Sequence, residues 1–198
     1  MSRIAIDIVV LPPEKVMDQI IKINQSEAIK GNAKGELNKN DFLPHISLAM
    51  GIVDESKFVQ VTEIVTSITK SISPVKLELI DYYFVVGEDG IKSYAIKVGG
   101  QLHYLHKQLM SSLKNYFTHD ATKEDMYNQE TEPNYVNTYK KNDSFKNYVP
   151  HITIRCKEIN TVLIKQEFIA DRIAICHIGK STTCRKILFE TKLKNKKR

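Results

Sequence analysis

One six-residue pattern occurs twice in this chain, and the predicted elements around the two copies follow the same order. Residues 43–48 read Leu-Pro-His-Ile-Ser-Leu, and residues 149–154 read Val-Pro-His-Ile-Thr-Ile. Each copy has an apolar residue, a proline, a histidine, an isoleucine, a hydroxyl residue and a second apolar residue. A single copy would be weak evidence, whereas two copies that each open a short strand favour a structure with two corresponding halves.

Hydrophobic patterning predicts the elements of the first half. They are a buried strand at 3–10, a helix that Pro13 opens and Gly31 ends, a short strand at 45–50, a helix at 58–68 with Asp54 as its N-cap, and a hairpin of strands at 75–86 and 91–98 joined by a turn at 87–90. Apolar side chains recur at helical spacing in both helices, and Ile and Val are frequent in the strands.

The second half repeats this order with a weaker third element. A helix at 102–116 precedes a polar segment at 118–147, which we interpret as a long loop or lid without regular structure. A strand at 149–155, a weak helical stretch near 160–167 and a strand pair at 171–178 and 183–191 follow. Structureless segments as long as 118–147 are either functional or disordered.

Helix, short strand, helix and hairpin thus occur before residue 98 and again after residue 101. The order has no fixed sequence period, which excludes a solenoid and favours two similar lobes that face each other. A length of 198 residues suits one compact domain. We therefore expect a single bilobal domain over 1–198, with lobes near 1–98 and 101–198 and strands that can be exchanged between them.

Composition limits the class of protein. With 42% hydrophobic and 26% charged residues, the chain is typical of a soluble globular protein rather than a collagen-like, mucin-like or disordered one. Cys156, Cys176 and Cys184 form no CxxC pair, so we expect buried thiols, no disulfide framework and a reducing cytoplasm. We find no signal peptide and no apolar stretch of the roughly 18–20 residues that cross a bilayer, so we expect no membrane contact.

The net charge is weak evidence about partners. It is +6, from 29 basic and 23 acidic residues. Five basic residues lie among the last seven positions, so removing five from +6 leaves +1 for the rest of the chain. Such a tail is either a solvated end or an aid to attracting RNA in a salt-dependent way.

The strand period places the polar side chains of each motif together. Side chains at i and i+2 lie on the same face of a strand, roughly 6.6–6.8 Å apart. His45 therefore shares a face with Ser47, and His151 shares a face with Thr153, while the intervening isoleucines point toward the core. If the lobes face each other, two imidazoles and two hydroxyls line one cleft.

This set of groups suits phosphodiester chemistry. One neutral imidazole takes a proton from water as general base, and the other, as imidazolium, protonates the leaving oxygen. The hydroxyls of Ser47 and Thr153 donate to the non-bridging oxygens, although both residue types also occupy strands for packing reasons. The arrangement requires no metal or other cofactor, and it leaves open which of His45 and His151 is the base.

At these residues the chain resembles the 2H phosphoesterase superfamily, which includes bacterial proteins called 2′-5′ RNA ligases and cyclic phosphodiesterases. The family signature is a pair of His-x-Ser/Thr-x motifs, matched here by residues 45–48 and 151–154. The resemblance implies a bilobal α+β fold, in which two pseudo-symmetric lobes carry antiparallel sheets around a central groove with helices outside. It also implies that His45 and His151 are catalytic and that Ser47 and Thr153 bind the phosphate.

The activity implied by the resemblance is metal-independent hydrolysis of 2′,3′-cyclic phosphodiesters at RNA or nucleotide ends, and we expect a monomer. The reverse reaction, which joins ends through a 2′-5′ bond, uses the same groups. A second enzymatic alternative is cleavage of 2′,5′-linked oligoadenylates. An alternative from a different class is a catalytically silent RNA-binding or scaffold protein, although a binder needs no matched acid and base.

Residues near the second motif are further substrate-binding candidates. Arg155 lies two residues beyond Thr153, so a regular strand would put it on the cleft face, where it would contact a phosphate. The alternative is an arginine at the surface or in an ion pair. Aromatic residues before the motif either stack on bases or pack the loop onto the body. They are Tyr135, Tyr139, Phe145 and Tyr148.

The remaining histidines do not predict a metal site. His103 and His106 lie three apart on a predicted helix, and His119 follows it. No clear third or fourth ligand has suitable spacing, so we interpret this group as a helix surface. His177 falls within a predicted strand, where a structural role is expected.

Overall fold

A computed structural model describes residues 2–84, 91–97, 99–129, 132–160 and 165–194 of the chain. The strands are β1 (Arg3–Leu11), β2 (Ile46–Asp54), β3 (Val75–Phe84), β4 (Lys92–Ile96), β5 (His151–Cys156), β6 (Gln166–Ala170), β7 (Arg172–Gly179) and β8 (Thr183–Lys192). The α-helices are α1 (Glu14–Ile29), α2 (Phe58–Lys70), α3 (Gly100–Ser112) and α4 (Asn134–Asn142). Single turns of 3₁₀ helix lie at Glu55–Lys57, Lys123–Asp125, Phe145–Asn147 and Lys180–Thr182. None of the described helices is long and apolar enough to span a lipid bilayer.

Within the described residues, the strands form two four-stranded antiparallel sheets. The first has the order β2-β1-β7-β8, and the second has the order β5-β4-β3-β6. Each sheet combines strands from both halves of the sequence, because β7 and β8 join the first sheet and β3 and β4 join the second. The predicted α+β class with two antiparallel sheets and two similar halves is confirmed. The assignment of 1–198 to one bilobal domain stays a prediction.

The two motif strands occupy equivalent places in this architecture. β2 is an edge strand of the first sheet, and β5 is an edge strand of the second. Helix α1 packs against β5, whereas α3 and α4 pack against β2, so helices cover both edges. β2 and β5 also contact each other, which joins the two sheets at the motifs.

The strand β1 runs through the interior of the first sheet. Every residue from Ala5 to Val10 is 0% exposed. Burying an Ile or Val side chain stabilises a fold by about 1.5–3 kcal/mol, so this strand anchors the sheet. Asp7 is the one acid in this strand. Its burial is unusual, because a buried carboxylate costs free energy unless it is paired or protonated.

The segment 118–147 is not the structureless loop that its polar composition predicted. It contains α4, whose Val136 and Tyr139 side chains are buried. Two apolar residues three apart seat this short helix on β2, but they are too few to stand out in a polar sequence. The predicted helical stretch near 160–167 also differs, because β6 begins at Gln166, and residues 161–164 lie outside the described part of the chain.

The predicted cap of the second helix differs from the structure. Asp54 directly precedes the 3₁₀ turn at Glu55–Lys57, but its side chain makes no capping hydrogen bond, so the predicted N-cap is wrong. Its carboxylate instead pairs with Lys57 at 2.9 Å. The predicted turn at 87–90 and the basic residues at 196–198 lie outside the described residues.

The expectation of no disulfide is wrong for one cysteine pair. Cys176 on β7 and Cys184 on β8 form a disulfide, with Cα atoms 5.3 Å apart. The two strands form a hairpin whose irregular register brings the cysteines together, and sequence spacing alone does not reveal that register. Cys156 is a buried free thiol, as expected. Disulfides are typical of oxidising compartments, so the cysteines no longer favour a cytoplasmic location. The cytoplasmic location stays a prediction.

Candidate active site

The two motif histidines have the same local geometry. His45 Nδ1–H donates to the backbone oxygen of Leu43 at 2.6 Å, and His151 Nδ1–H donates to the backbone oxygen of Val149 at 2.9 Å. In both motifs the acceptor lies two residues earlier, with the motif proline between. A carbonyl oxygen only accepts, so the hydrogen is on Nδ1, and in the neutral ring Nε2 carries the lone pair. Each motif therefore prepares Nε2 for proton transfer.

Both histidines are neutral at pH 7 when no substrate is bound. Burial, with a smaller contribution from the nearby His151 ring, lowers the pKa of His45 to about 4. Burial also lowers the pKa of His151. Electrostatic interaction between the rings falls with distance, so this interaction and the contact between β2 and β5 indicate that the two histidines are close together.

A bound anion would change this protonation. A negative charge beside an imidazole favours the imidazolium and raises its pKa. An anion between His45 and His151 would therefore favour one protonated ring, which could donate a proton. The other ring, still neutral, could accept one.

Ser47 faces a buried acid that the sequence motifs did not indicate. Ser47 Oγ lies 2.6 Å from Oδ2 of Asp7, a hydrogen-bond distance, and the same carboxyl oxygen lies 3.6 Å from Nε2 of His45. Asp7 is 0% exposed, and burial raises its pKa to about 8. The sequence contained one indication of this role for Asp7: it is the single acid in an otherwise apolar strand, and ionisable residues are unusual in buried strands.

Within the described residues, the second motif has no acid at the place that corresponds to Asp7. Thr153 is half-buried, and its partner across β4 and β5 is Ser93. Ser93 is fully buried, and its hydroxyl has no hydrogen-bond partner within the described ranges. Two residues before Ser93, at the place that corresponds to Asp7, the chain has Ile91. The two halves of the site therefore differ although their motifs match.

Tyr148 connects the second motif to the first. Its hydroxyl donates to the backbone oxygen of Ser47 at 2.9 Å. Its ring is 5% exposed and stacks on His106, with centroids 3.9 Å apart and 3° between the ring planes. In this conformation Tyr148 contacts protein atoms and holds β2 beside the start of β5.

His106 is a buried residue, and the interpretation of it as helix surface is wrong. Its Nδ1–H donates to the backbone oxygen of Leu48 at 2.6 Å, and its Nε2 accepts from the backbone N–H of Phe145 at 2.7 Å. Burial lowers its pKa, so the ring stays neutral. Its spacing from Leu102 and Leu109 was the missed signal, because it places His106 on the buried face of α3.

Arg155 does not continue a regular strand. Its φ is +61°, at a point where the register between β4 and β5 shifts, so simple alternation from Thr153 does not set its direction. Nη2 donates to the backbone oxygen of Lys34 at 2.6 Å and to Ser181 Oγ at 3.1 Å. Arg155 therefore joins two loops to the end of the second motif strand.

The other candidates lie on elements next to this arrangement. His177 Nε2–H donates to the backbone oxygen of Asp125 at 2.9 Å, which is a structural role. Tyr139 is buried in α4, and Phe145 is 38% exposed. Across the described ranges, no group of three or more His, Cys, Asp and Glu side chains is placed to hold a metal ion.

Comparison with protein-family models gave no match, and neither did comparison with curated protein sequences. Several solved structures are similar. E. coli LigT in complex with NADP+ is 14% identical with a TM-score of 0.62, over 98% of this chain and 100% of LigT. TT0787 of Thermus thermophilus is 14% identical with a TM-score of 0.68, over 98% of this chain and 100% of TT0787.

A third solved structure, described as a phosphoesterase, is 14% identical with a TM-score of 0.59, over 96% of this chain and 99% of that one. At these identities the likeness establishes the fold. This chain has the fold of LigT and of a phosphoesterase. The α+β fold implied by the resemblance is therefore confirmed, and membership of the 2H phosphoesterase superfamily stays a prediction.

Proposed function

We propose that this chain is a 2H-type phosphoesterase that hydrolyses 2′,3′-cyclic phosphodiesters at RNA or nucleotide ends. The observation that carries the proposal is the matched pair His45 and His151. Both rings have Nδ1 fixed by the same kind of backbone hydrogen bond. His45 directly precedes β2, His151 begins β5, and these two strands contact each other. Such a pair supplies the general base and the general acid that the reaction needs.

In the proposed step, one bond to phosphorus forms, one breaks, and two protons are transferred. The oxygen of a water molecule forms a bond to phosphorus while one imidazole takes the water proton at Nε2. The bond from phosphorus to one ribose oxygen breaks, and the second imidazole gives its proton to that oxygen. The products are a phosphomonoester and a free ribose hydroxyl, and the two histidines have exchanged protonation states. If the 5′-hydroxyl of an RNA takes the place of water and the bond from phosphorus to the 3′ oxygen breaks, the same two proton transfers form a 2′-5′ bond.

The hydroxyls of Ser47 and Thr153 are the proposed phosphate contacts. Both residues share a strand face with a motif histidine, so their hydroxyls can donate to the non-bridging oxygens. Tyr148 and Arg155 enter the proposal as residues that hold the site together, because their polar groups already bond to protein atoms.

The nucleotide part of the proposal is supported by the complexes of a structural neighbour. LigT structures contain 3′-AMP, ATP and NADP+. These ligands share a ribose and a phosphate, which are also the parts of a cyclic phosphate end. We therefore propose a nucleotide or RNA end as the substrate, bound by a monomer of this chain.

A substrate panel tests the proposal. The panel contains adenosine 2′,3′-cyclic phosphate, RNA with a cyclic phosphate end and 2′,5′-oligoadenylate, each with EDTA present. We expect hydrolysis of the cyclic phosphates, and a loss of about 10²–10⁴-fold in His45→Ala and His151→Ala. His119→Ala is a matched control, because His119 is an exposed histidine outside the two motifs.

Each other outcome of the panel has a distinct meaning. Full activity of either motif variant would overturn the roles of His45 and His151. Loss of activity in EDTA would overturn the metal-independent reaction. Preference for the oligoadenylate would support the second enzymatic alternative. RNA binding without turnover of any substrate would support a binding or scaffold protein.

A further inference from the structure

A short hydrogen bond joins the first motif to a buried carboxyl group. Ser47 Oγ and Asp7 Oδ2 are 2.6 Å apart, whereas the same oxygen is 3.6 Å from His45 Nε2, which is too far for a hydrogen bond. The second oxygen, Oδ1, is buried and has no hydrogen-bond partner in the part of the chain that the structure describes. Asp7 is thus a fully buried acid with one strong polar contact.

The groups nearest to Asp7 do not provide a permanent positive charge. Its salt-bridge partner among the described residues is His45, and burial of that ring favours the neutral form. From α4, the phenols of Tyr135 and Tyr139 also interact with Asp7. Burial and nearby carboxylates raise the pKa of both phenols, so they stay protonated and neutral.

Among the described residues, the other elements packed against β1 place no positive charge at Asp7 either. On β7 the residue opposite Asp7 is Cys176, which is held in the disulfide and does not titrate. The 3₁₀ turn Lys123–Asp125 also contacts β1, and Asp125 there pairs with Arg3 at 3.2 Å. Burial without a counter-charge disfavours the carboxylate, and it raises the pKa of Asp7 to about 8.

The protonation state of Asp7 decides where the Ser47 hydrogen points. An ionised carboxylate only accepts, so it holds that hydrogen and keeps it from a substrate. A protonated carboxyl has its own hydrogen and can donate it to Ser47 Oγ. A hydroxyl accepts and donates at the same time, so the Ser47 hydrogen can then turn into the groove.

We propose that Asp7 is a positioning residue whose protonated carboxyl donates to Ser47 Oγ and turns the Ser47 hydrogen toward the substrate phosphate. This inference rests on the proposed function, because the Ser47 hydrogen needs a phosphate oxygen to receive it. A neutral Asp7 also avoids a negative charge beside an anionic substrate. Asp7 is fully buried and acts through Ser47.

The proposed positioning by Asp7 affects the half of the site that contains Ser47. Ser47 lies opposite Val9 on β1, and Asp7 is two residues before Val9. Thr153 lies opposite Ser93 on β4, and the residue two before Ser93 is an isoleucine. Removing the Thr153 hydroxyl should therefore lower activity without changing its dependence on Asp7.

The first test measures the proton on Asp7 directly and needs no turnover. The protein is labelled with ¹³C at aspartate carboxyls, and the Asp7 signal is assigned through its own backbone amide and followed from pH 4 to 10. We expect a protonated carboxyl at pH 7 that ionises near pH 8. A carboxyl that is already ionised at pH 7, with His45 protonated instead, would overturn the proposal.

The second test compares the pH dependence of kcat/KM for adenosine 2′,3′-cyclic phosphate. The proposed mechanism needs one protonated histidine, so loss of that proton lowers kcat/KM by about tenfold per pH unit in the wild type and in the variants. In the wild type, loss of the Asp7 proton should make this fall steeper above about pH 8. Asp7→Asn keeps a donor toward Ser47 but cannot ionise, so its fall should not become steeper there. Thr153→Ala should have lower activity throughout and the same alkaline fall as the wild type.

Failure of the two proposals can be told apart. If the wild type hydrolyses no cyclic phosphate, the proposed function fails, and the carboxyl signal still decides whether Asp7 is a donor. If the wild type is active and Asp7→Asn shows the same steepening of the fall above pH 8, Asp7 does not position Ser47. A folded Asp7→Asn that has lost all activity at pH 7 would also overturn the positioning role, because the amide retains the donor.

Discussion

The hydroxyl of Tyr148 donates to the backbone oxygen of Ser47 at 2.9 Å, which joins two residues 101 positions apart. One belongs to the first motif, and the other lies two residues before the proline of the second. The Tyr148 ring is itself fixed by stacking on His106. Proton transfer needs heavy atoms about 2.6–3.2 Å apart, so a contact that spaces the motif strands bears directly on catalysis.

Removing this hydroxyl should reduce activity more than stability. Tyr148→Phe keeps the stacked ring and loses one hydrogen bond, so we expect its unfolding free energy to fall by about 0.5–1.5 kcal/mol. We expect kcat to fall by about tenfold, because the motif strands lose a link that sets their spacing. Urea unfolding and turnover of adenosine 2′,3′-cyclic phosphate measure the two effects.

A second tyrosine provides the control for this change. Tyr127 is 44% exposed, so Tyr127→Phe should leave both unfolding and turnover near the wild-type values. Equal kcat for Tyr148→Phe and the wild type would show that the contact does not set the spacing of the motifs.

His106 should matter for folding rather than for chemistry. It is 1% exposed and satisfies the Leu48 carbonyl and the Phe145 N–H, so His106→Ala leaves two backbone groups without partners. We expect the unfolding free energy to fall by about 2–4 kcal/mol. His119→Ala, at an exposed position, should change it by less than about 0.5 kcal/mol. Equal unfolding free energies for the two variants would contradict the buried role of His106.

The fold and the paired motifs could be predicted because both follow from local rules. The strand period puts His45 beside Ser47 and His151 beside Thr153, and the repeated order of elements points to two similar halves. No tertiary contact is needed to see either pattern.

The parts that could not be predicted depend on contacts between distant residues. Asp7 and Ser47 meet because β1 pairs with β2, and the exact register includes an irregularity between Ile8 and Val9. The disulfide likewise depends on register shifts between β7 and β8. The burial of His106 could be predicted from its helical spacing. Its hydrogen bonds to two distant backbone groups could not.

The Cys176–Cys184 disulfide should stabilise the hairpin measurably. The two cysteines are eight residues apart, and closing a loop of that length is expected to contribute about 2.5 kcal/mol in the chain-entropy account. A Cys176→Ser, Cys184→Ser double variant should lose about that much unfolding free energy. A reductant should lower the stability of the wild type by the same amount and leave the variant unchanged.

Thiol counting provides an independent check on the disulfide. The unfolded, unreduced wild type should react at one cysteine, Cys156, and the reduced protein at all three. Three reactive thiols without reductant would contradict the bond.

The pH dependence of stability should reveal Asp7. Its pKa rises from 3.8 to about 8 on folding, so between these values the folded protein binds more protons than the unfolded chain. Its contribution to stability is therefore complete below about pH 4 and is lost as the pH rises toward 8, at about 1.4 kcal/mol per pH unit. His45 acts with the opposite sign between pH 6.5 and about 4, because burial lowers its pKa.

Comparing the wild type with Asp7→Asn separates these opposing effects. Both proteins retain His45, so its contribution largely cancels in the difference, whereas only the wild type has an acid at position 7. The difference in unfolding free energy should shift in favour of Asp7→Asn with each step in pH from 5 to 8, measured by urea unfolding at each pH. Asp120→Asn, at an exposed position, is the control for replacing a carboxylate by an amide. A difference that stays constant from pH 5 to 8 would mean that Asp7 does not retain its proton in the folded protein.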